Sequence, residues 1–562
     1  MSIFYFPDPK TTDLRDHRIQ RILEIIPGSL TWATLIGMFL LSFIKPVWMA
    51  VFIIMFDIYW ILRTIFITYY SIAAYNKFKN GKSTDWWERC QNIGNAEEYL
   101  KSISGKIKLY KDSLSEIYSF FERRKVKKEI ERLKKYKKEV ELINKSGNEI
   151  IDWRKIIHVV LFPTANEGAE IIEPAIQSVA EGNFPNQQII ILLATEEREN
   201  EKDRLKKVNY LKDKFKGVFR DFIVTTHEVV EGEMKCKASN ATYAAKKLKI
   251  YLDERGIDYK RVIFSNFDCD SVSHPQYFAA LTYEYITSPD RLQMAYQPLP
   301  MYHNNLWDTN AFVRVIVTSS SFWHMFQSTR SEMVTFASHS EAFDTLVKVN
   351  FWPVNIINED SIIFWKCFSY FHGNYRVKPI YLPVSLDAVL AETYWKTIKN
   401  QYKQKRRWAY GIEHFPTLMR AIWPDKKIKL SKKIRAGFEM IEGHWSWATS
   451  AFILAILGWL PVIIGGSEFN QSVIAHNLPF ITRYLMTLAA TGLVISMFLS
   501  FSLLPPRPAK YSKKRYVYMF LQWFLAPIIA PTLGAVPAVE SQTRMMIKKY
   551  FGEFWVTEKI KK

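Results

Sequence analysis

The run Ile156-Ile157-His158-Val159-Val160-Leu161-Phe162-Pro163-Thr164-Ala165-Asn166-Glu167 decides the fold. Its first seven residues are apolar apart from His158 and rich in β-branched types, as in a strand. Its last four are a polar turn, and the helical stretch Glu167–Glu181 follows. The same unit recurs downstream. Strands are expected at Ile156–Phe162, Gln188–Ala194, Arg220–Thr226 and Arg261–Phe267, and helices at Glu167–Glu181, Asn200–Phe215 and Lys237–Arg255. Short β-rich runs alternating with helical lengths predict an α/β domain with a mainly parallel sheet. Ligands of such sheets bind at the carboxyl ends of strands. Thr164–Glu167 follows the first strand, Thr195–Arg198 the second and Asp268–Asp270 the fourth. Three polar loops are therefore expected to converge on one edge.

Asp268-Cys269-Asp270 ends a hydrophobic strand. Alternate carboxylates there suit a hard cation, Mg²⁺ or Mn²⁺, which bridges phosphate oxygens and neutralises a leaving diphosphate. The plainer alternative is an acidic turn. Asn358-Glu359-Asp360 precedes the aromatic helix Ile362–Phe371. Glu359 and Asp360 are the candidate catalytic pair, with Asp360 chosen as the base that takes a proton from an acceptor hydroxyl. Asn358 or Asp360 would equally cap that helix. Gln404-Lys405-Arg406-Arg407-Trp408 lies on a helix expected from about Tyr394 to Tyr410. The planar fork of Arg407 can hold a diphosphate oxygen, and Trp408 offers a flat face to a sugar ring. Lys403, Lys405 and Arg406 are read as side chains snorkelling from an interfacial helix. Lys237-Ala238-Ser239-Asn240 opens the third helix, where free N–H groups and an ammonium suit an anion. Gln297–Pro300 and the run Tyr302-His303-Asn304-Asn305 are expected to line an acceptor groove. His303 and His324 receive no role.

The 562 residues carry 76 Lys+Arg against 55 Asp+Glu, a net charge of +21, and 48% hydrophobic residues in uneven blocks. Nucleic acid, an anionic membrane or an acidic substrate would each account for the charge. No nucleic-acid module is readable, and the apolar blocks favour the lipid bilayer. Ser29–Ile44 and Pro46–Tyr70 form an expected membrane hairpin. Trp445–Ile464 and Leu478–Leu503 are further spans, while Tyr516–Val539, interrupted by Pro527, Pro531 and Pro537, either spans or re-enters as a broken hairpin. Basic flanks are expected to place the soluble body in the cytoplasm of an integral protein of the plasma membrane. The organisation expected is an N-terminal region with the hairpin (1–100), a charged helical arm (101–150), the α/β domain (151–392), interfacial helices (393–444) and a C-terminal membrane region (445–562). In the arm, Ile117, Phe121, Val126, Ile130 and Leu133 recur at helical intervals. Cys90, Cys236, Cys269 and Cys367 form no metal-binding or CxxC pair and are expected as free thiols.

These residues resemble the membrane-embedded family 2 glycosyltransferases of the cellulose and hyaluronan synthase group, over roughly Ile156 to Pro416. The resemblance rests on the ordered set Asp268–Asp270 (DxD), Glu359-Asp360 (ED) and Gln404–Trp408 (QxxRW). Pro163–Glu167 is similar to the family's nucleotide-gripping loop, and Lys237–Asn240 to its KAG/KAS element. The resemblance implies a GT-A (Rossmann-like) fold, a UDP-sugar as nucleotide-sugar donor, a divalent metal ion and inversion at the anomeric carbon. A growing polysaccharide or a glycolipid is the implied acceptor. It implies that Asp268 and Asp270 serve metal and diphosphate and that Asp360 is the base. Thr164, Glu167, Lys237, Gln404, Arg407 and Trp408 then surround the donor. The family's usual Asp after the second strand is replaced by Ala194-Thr195-Glu196-Glu197, where Glu196 or Glu197 is the substitute, and Asn358 stands where Thr is usual.

Overall fold

The computed structural model describes residues 4–147, 149–228 and 230–552. The expected strands form as β1 (Ile157–Pro163), β2 (Ile189–Glu196), β3 (Asp221–His227) and β4 (Val262–Asn266), paired in parallel. The helices between them are Ala169–Ala180, Glu201–Lys214 and Lys237–Glu254. Along β1, Val160 and Phe162 enter one apolar layer, whereas Ile157, Val159 and Leu161 enter the other. That is the two-residue period of a strand. Helices cover both faces, so these strands read as continuous apolar runs.

The second half of the sheet has no counterpart in the sequence pattern. It comprises β5 (Val272–Ser273), β6 (Met294–Met301), β7 (Ser340–Ala342) and β8 (Arg376–Ser385). The full order is β3-β2-β1-β4-β7-β6-β8-β5. β7 runs antiparallel between β4 and β6, and β6 pairs in parallel with β8. Gln297–Pro300, expected as a groove lining, lies inside β6 and is buried. Asn304 instead supports the DxD loop by donating to the Asp270 carbonyl at 2.9 Å.

The arm is a helix pair, Ala96–Ser113 and Phe120–Lys145. Tyr136 and Val140 bury against Tyr99 and Ile103, while Phe121 of the expected stripe is exposed. Four helices are long and apolar enough to cross a membrane: Leu14–Ile44, Pro46–Lys82, Val473–Ser502 and Arg515–Met546. The first two extend past the expected hairpin because charged turns continue each helix beyond its apolar part. A break of 50° separates Leu430–Ala455 from Leu457–Ile464. The proline-rich stretch, expected to span or to re-enter as a broken hairpin, is helical throughout. Pro527, Pro531 and Pro537 each fall just after a change of helix type, into α, π and α in turn, where the hydrogen-bond ladder is already interrupted.

Helix Val473–Ser502 packs on Pro46–Lys82 through Gly492, where an added Cβ would fall 2.4 Å from Thr64 Cγ2. Small residues permit such close approach of membrane helices. Gly492→Leu is expected to destabilise the pair by about 1–3 kcal/mol through overpacking. Gly37→Ala, which meets nothing within 4 Å, is the matched control and should leave stability near that of the parent. Thermal unfolding in detergent reads both; an unshifted midpoint for Gly492→Leu would show that this contact does not hold the helices.

Candidate active site

Lys237 is the first residue of helix Lys237–Glu254, directly after extended Cys236. Its Nζ lies 2.7 Å from Asp268 Oδ1, 3.0 Å from Glu359 Oε1 and 3.3 Å from Asp360 Oδ1. Asp268 follows β4, and Glu359 and Asp360 open helix Glu359–Tyr370. One ammonium thus gathers both acidic motifs at the carboxyl edge of the sheet. Side-chain exposure separates the three acids: 31% for Asp268, 26% for Asp360 and 5% for Glu359. Asp268 and Asp360 are open to a substrate, whereas Glu359 is a buried support. Burial, reinforced by the Asp360 charge, pushes the Glu359 carboxyl up to about 7. Burial works against the charge on Lys237, but Asp268, Asp360 and Glu359 together hold its pKa well above the usual lysine value.

The Asp360 backbone is held by a hydroxyl, and a buried imidazole whose Nδ1 donates to the Phe336 carbonyl at 2.9 Å lies near its carboxylate. Thr335 Oγ1 donates to the Asp360 backbone carbonyl at 2.5 Å. Fully buried His339 brings Nδ1 to 3.7 Å from Asp360 Oδ1 and Nε2 to 3.4 Å from Glu341 Oε1. Tyr375 donates to the other Glu341 oxygen at 3.1 Å. Burial disfavours the imidazolium, yet Glu341 and then Asp360 raise the His339 pKa above its ordinary value. Asn358 occupies the N-cap position but makes no side-chain cap bond. Its amide donates to the Arg407 carbonyl at 3.1 Å. Glu413 Oε1 accepts from the backbone N–H of Ile357 at 3.0 Å and of Asn358 at 3.2 Å. The acidic loop and the QxxRW segment are therefore strapped together.

Asp270 is buried, and its Oδ2 accepts from the Asp387 N–H at 2.6 Å. Among the described residues no three His, Cys, Asp or Glu side chains are grouped to hold a metal ion. Asp268 and Asp270 still fit a hard cation by donor chemistry: both are carboxylates and Asp268 is reachable from solvent, with the Lys237 ammonium having to swing aside to admit the ion. Phosphate oxygens and water would complete such a coordination shell.

Thr164, Glu167 and Glu196 sit together at the ends of β1 and β2. Lys207 Nζ donates to Thr164 Oγ1 and the Glu167 carbonyl, both at 3.0 Å, and to Glu199 Oε2 at 2.5 Å. Glu167 Oε2 accepts from the N–H groups of Ala165 and Asn166. Glu196 pairs with Arg198. Asn240 Nδ2 bridges the carbonyls of Thr164 and Ala194. Because Asn240 lies one helical turn from Lys237, the nucleotide-side loops and the carboxylate cluster share one helix.

Gln404, Arg407 and Trp408 lie on helix Tyr394–Ala409. Gln404 is buried and accepts from Gln401 at 3.1 Å. Trp408 packs beside Tyr302, with ring centroids 6.3 Å apart. Two snorkelling assignments are corrected. Lys405 sits over the Trp408 and Trp447 rings, and burial pulls its pKa down to about 8. Arg406 pairs with Glu540 of helix Arg515–Met546 at 2.8 Å. Both are engaged in packing between elements. Sequence reasoning does not single out His339, Glu341, Glu413, Glu199 or Lys207. Their only local signal is charge or imidazole in apolar surroundings, which ordinary packed residues share.

The sequence matches the family described as Glycosyl transferase family group 2 over residues 266–535, a stretch that holds both acidic motifs and the QxxRW motif. The mannosyltransferase PcManGT from Pyrobaculum calidifontis, in complex with GDP-Man and Mn2+, is 14% identical with a TM-score of 0.35, covering 66% of this chain and 86% of its own. S. aureus TarS 1-349, in complex with UDP-GlcNAc, is 11% identical with a TM-score of 0.32, covering 61% of this chain and 90% of its own. No curated protein matches the sequence. The family match makes residues 266–535 a family 2 glycosyltransferase domain, and the protein a glycosyltransferase.

Proposed function

We propose that this glycosyltransferase moves a sugar from a nucleotide diphosphate, a UDP-sugar, onto a growing polysaccharide at the cytoplasmic face of the plasma membrane, with inversion. The observation that carries the reading is the Lys237 ammonium within 3.3 Å of carboxylates from both acidic motifs. In this reading residues 151–392 form the catalytic domain, 393–444 the interfacial helices, and 1–100 and 445–562 the membrane regions.

Asp360 takes the proton of the acceptor hydroxyl as that oxygen attacks the anomeric carbon. The bond from that carbon to the diphosphate breaks, and the diphosphate leaves with the electron pair. Lys237 and Arg407 balance its charge, while Thr164, Glu167 and Glu196 hold the nucleoside side and Gln404 and Trp408 the sugar side. Asp268 and Asp270 would hold Mg²⁺ or Mn²⁺, which would supply further neutralisation of the diphosphate. The Arg406–Glu540 pair joins the QxxRW helix to a membrane helix, which brings the acceptor side of the site to the bilayer.

Product size decides the acceptor: long chains support a polysaccharide, and a single added sugar on lipid supports a glycolipid transferase instead. Asp360→Asn should lower turnover by about 10²–10⁴-fold while donor affinity stays within a few fold. An equal loss of donor binding removes Asp360 from the role of base. Asp270→Ala, or chelation of divalent metal from the parent enzyme, should weaken donor binding; binding that is indifferent to metal in both would remove the cation from the proposal.

Glu413 gives a pH prediction. Burial pushes its carboxyl up to about 8 from an ordinary 4.5. The folded chain therefore holds a proton that the unfolded chain has released, and stability falls as pH rises through that interval. Glu413→Gln keeps an acceptor oxygen for Ile357 and Asn358 but cannot titrate. Its denaturation midpoint should vary less between pH 5 and 8, a range taken from the shift itself. Glu413→Leu should instead cost about 1–3 kcal/mol by orphaning two buried N–H groups. A glutamine variant with the parent's full pH slope would overturn the assignment.

A further inference from the structure

The arm between the first membrane hairpin and the catalytic domain ends in an aromatic tip that nothing among the described residues covers. Tyr118 is 100% exposed, Phe120 72%, Phe121 74% and Leu109 69%. Around the tip, residues 106–128 carry eight Lys and Arg against three Asp and Glu. Exposed aromatics beside dense positive charge are unfavourable in water and uncommon on a surface that stays there.

The contacts of helix Phe120–Lys145 give its course. Near its end, Val140 is in the core beneath the sheet's helices. One residue earlier, Glu139 accepts from Tyr283 at 3.0 Å. Arg89 stacks over Tyr136 at 3.4 Å. Arg132 then donates to the Ser83 carbonyl at 2.5 Å, and Ser83 directly follows membrane helix Pro46–Lys82. The arm thus climbs from the catalytic core to the end of a membrane helix and continues. From Arg132 to Phe120 a helix advances about 18 Å. From Ser83 back to Ile72, an exposed residue of the membrane helix, the distance is roughly 17 Å. The basic residues Lys77, Lys79 and Lys82 lie in between. The two lengths agree, so a tip that runs back alongside the helix reaches the bilayer that holds it.

We propose that the arm tip docks on anionic phospholipid of the same leaflet, with Tyr118, Phe120 and Phe121 in the interfacial layer and Arg123, Arg124 and Lys125 against headgroup phosphates. Charge complementarity selects this occupant. A second copy of the arm carries the same positive charge and is repelled. Docking would tether the catalytic domain to the membrane surface at a point separate from the helices. The inference rests on the chain being in a bilayer and not on any feature of the sugar-transfer reading.

The test uses the full chain, one copy per nanodisc, with a fluorophore at Ser115→Cys. The four native cysteines are buried, which leaves the introduced thiol as the accessible one among the described residues. Lipids bearing a headgroup nitroxide report contact. Strong quenching is expected in discs with anionic lipid, and several-fold less in neutral discs or at high salt, where surface attraction is screened. Arg123→Gln with Arg124→Gln, and separately Phe120→Ser with Phe121→Ser, should each reduce quenching, by up to about fivefold per lost charge in the first case. These side chains are exposed, so circular dichroism should show both variants folded. Quenching equal in anionic and neutral discs, or unmoved by either pair of substitutions, overturns the proposal. So does a disulfide between two copies of the unlabelled Ser115→Cys chain, in discs loaded with two copies, where the labelled chain shows no quenching; that result would assign the tip to a second chain.

Discussion

Three carboxylates cannot share one partly buried site unless a cation lies among them. Like charges at this range raise one another's pKa, and burial raises them further. Lys237 is that cation, with Asp268, Glu359 and Asp360 all within 3.3 Å of its nitrogen. The consequence is a division of labour. Glu359, shut away from solvent, is pushed towards its neutral form, while Asp268 and Asp360 remain at the opening. Remove the ammonium and the site would have to protonate, open or take a metal in its place.

The sheet delivers these groups together. β4 sets down Asp268, and the helix that packs across β1 and β2 begins with Lys237. β7, only three residues long, slips between β4 and β6 and places His339 and Glu341 behind Asp360. Asn358 and Glu413 then lock the acidic loop to the QxxRW helix, so that motion of one is felt by the other. Arg406 and Glu540 carry the same linkage into a membrane helix. The edge that carries the acidic motifs is therefore braced against the candidate membrane spans through hydrogen bonds and an ion pair, at points where both partners are only partly exposed.

Polar contacts also join the membrane helices to one another. Thr482 donates to buried Asp57 at 2.9 Å, and Arg63 meets Glu442. Charged residues within apolar helices are costly unless paired inside the bundle. Asp57 and Arg63, which interrupt an otherwise hydrophobic run, are accounted for by these partners.

The alternating runs between Ile156 and Phe267 determined the parallel half of the sheet, because a strand buried on both faces and a helix of ordinary length each leave a plain local period. Asp268 and Asp360 stood out by residue type and order along the chain, and the structure brings both to the Lys237 ammonium. The antiparallel insertion at β7 did not stand out, since three residues carry no period. Nor did Glu199, Lys207, His339 and Glu413, whose partners lie far away in the chain or on another element. Snorkelling was the local reading of Lys405 and Arg406, and neighbours contributed by other helices overturned it. Composition and periodicity thus settled β1 to β4, the helices between them and most of the long apolar helices, for these depend on nearest neighbours along the chain, whereas β6 and β8, of eight and ten residues, went unread. Which carboxylate is buried, which cation holds it and which loop is strapped to which helix were decided by the tertiary structure alone, because electrostatic and hydrogen-bond energies depend on distance through space.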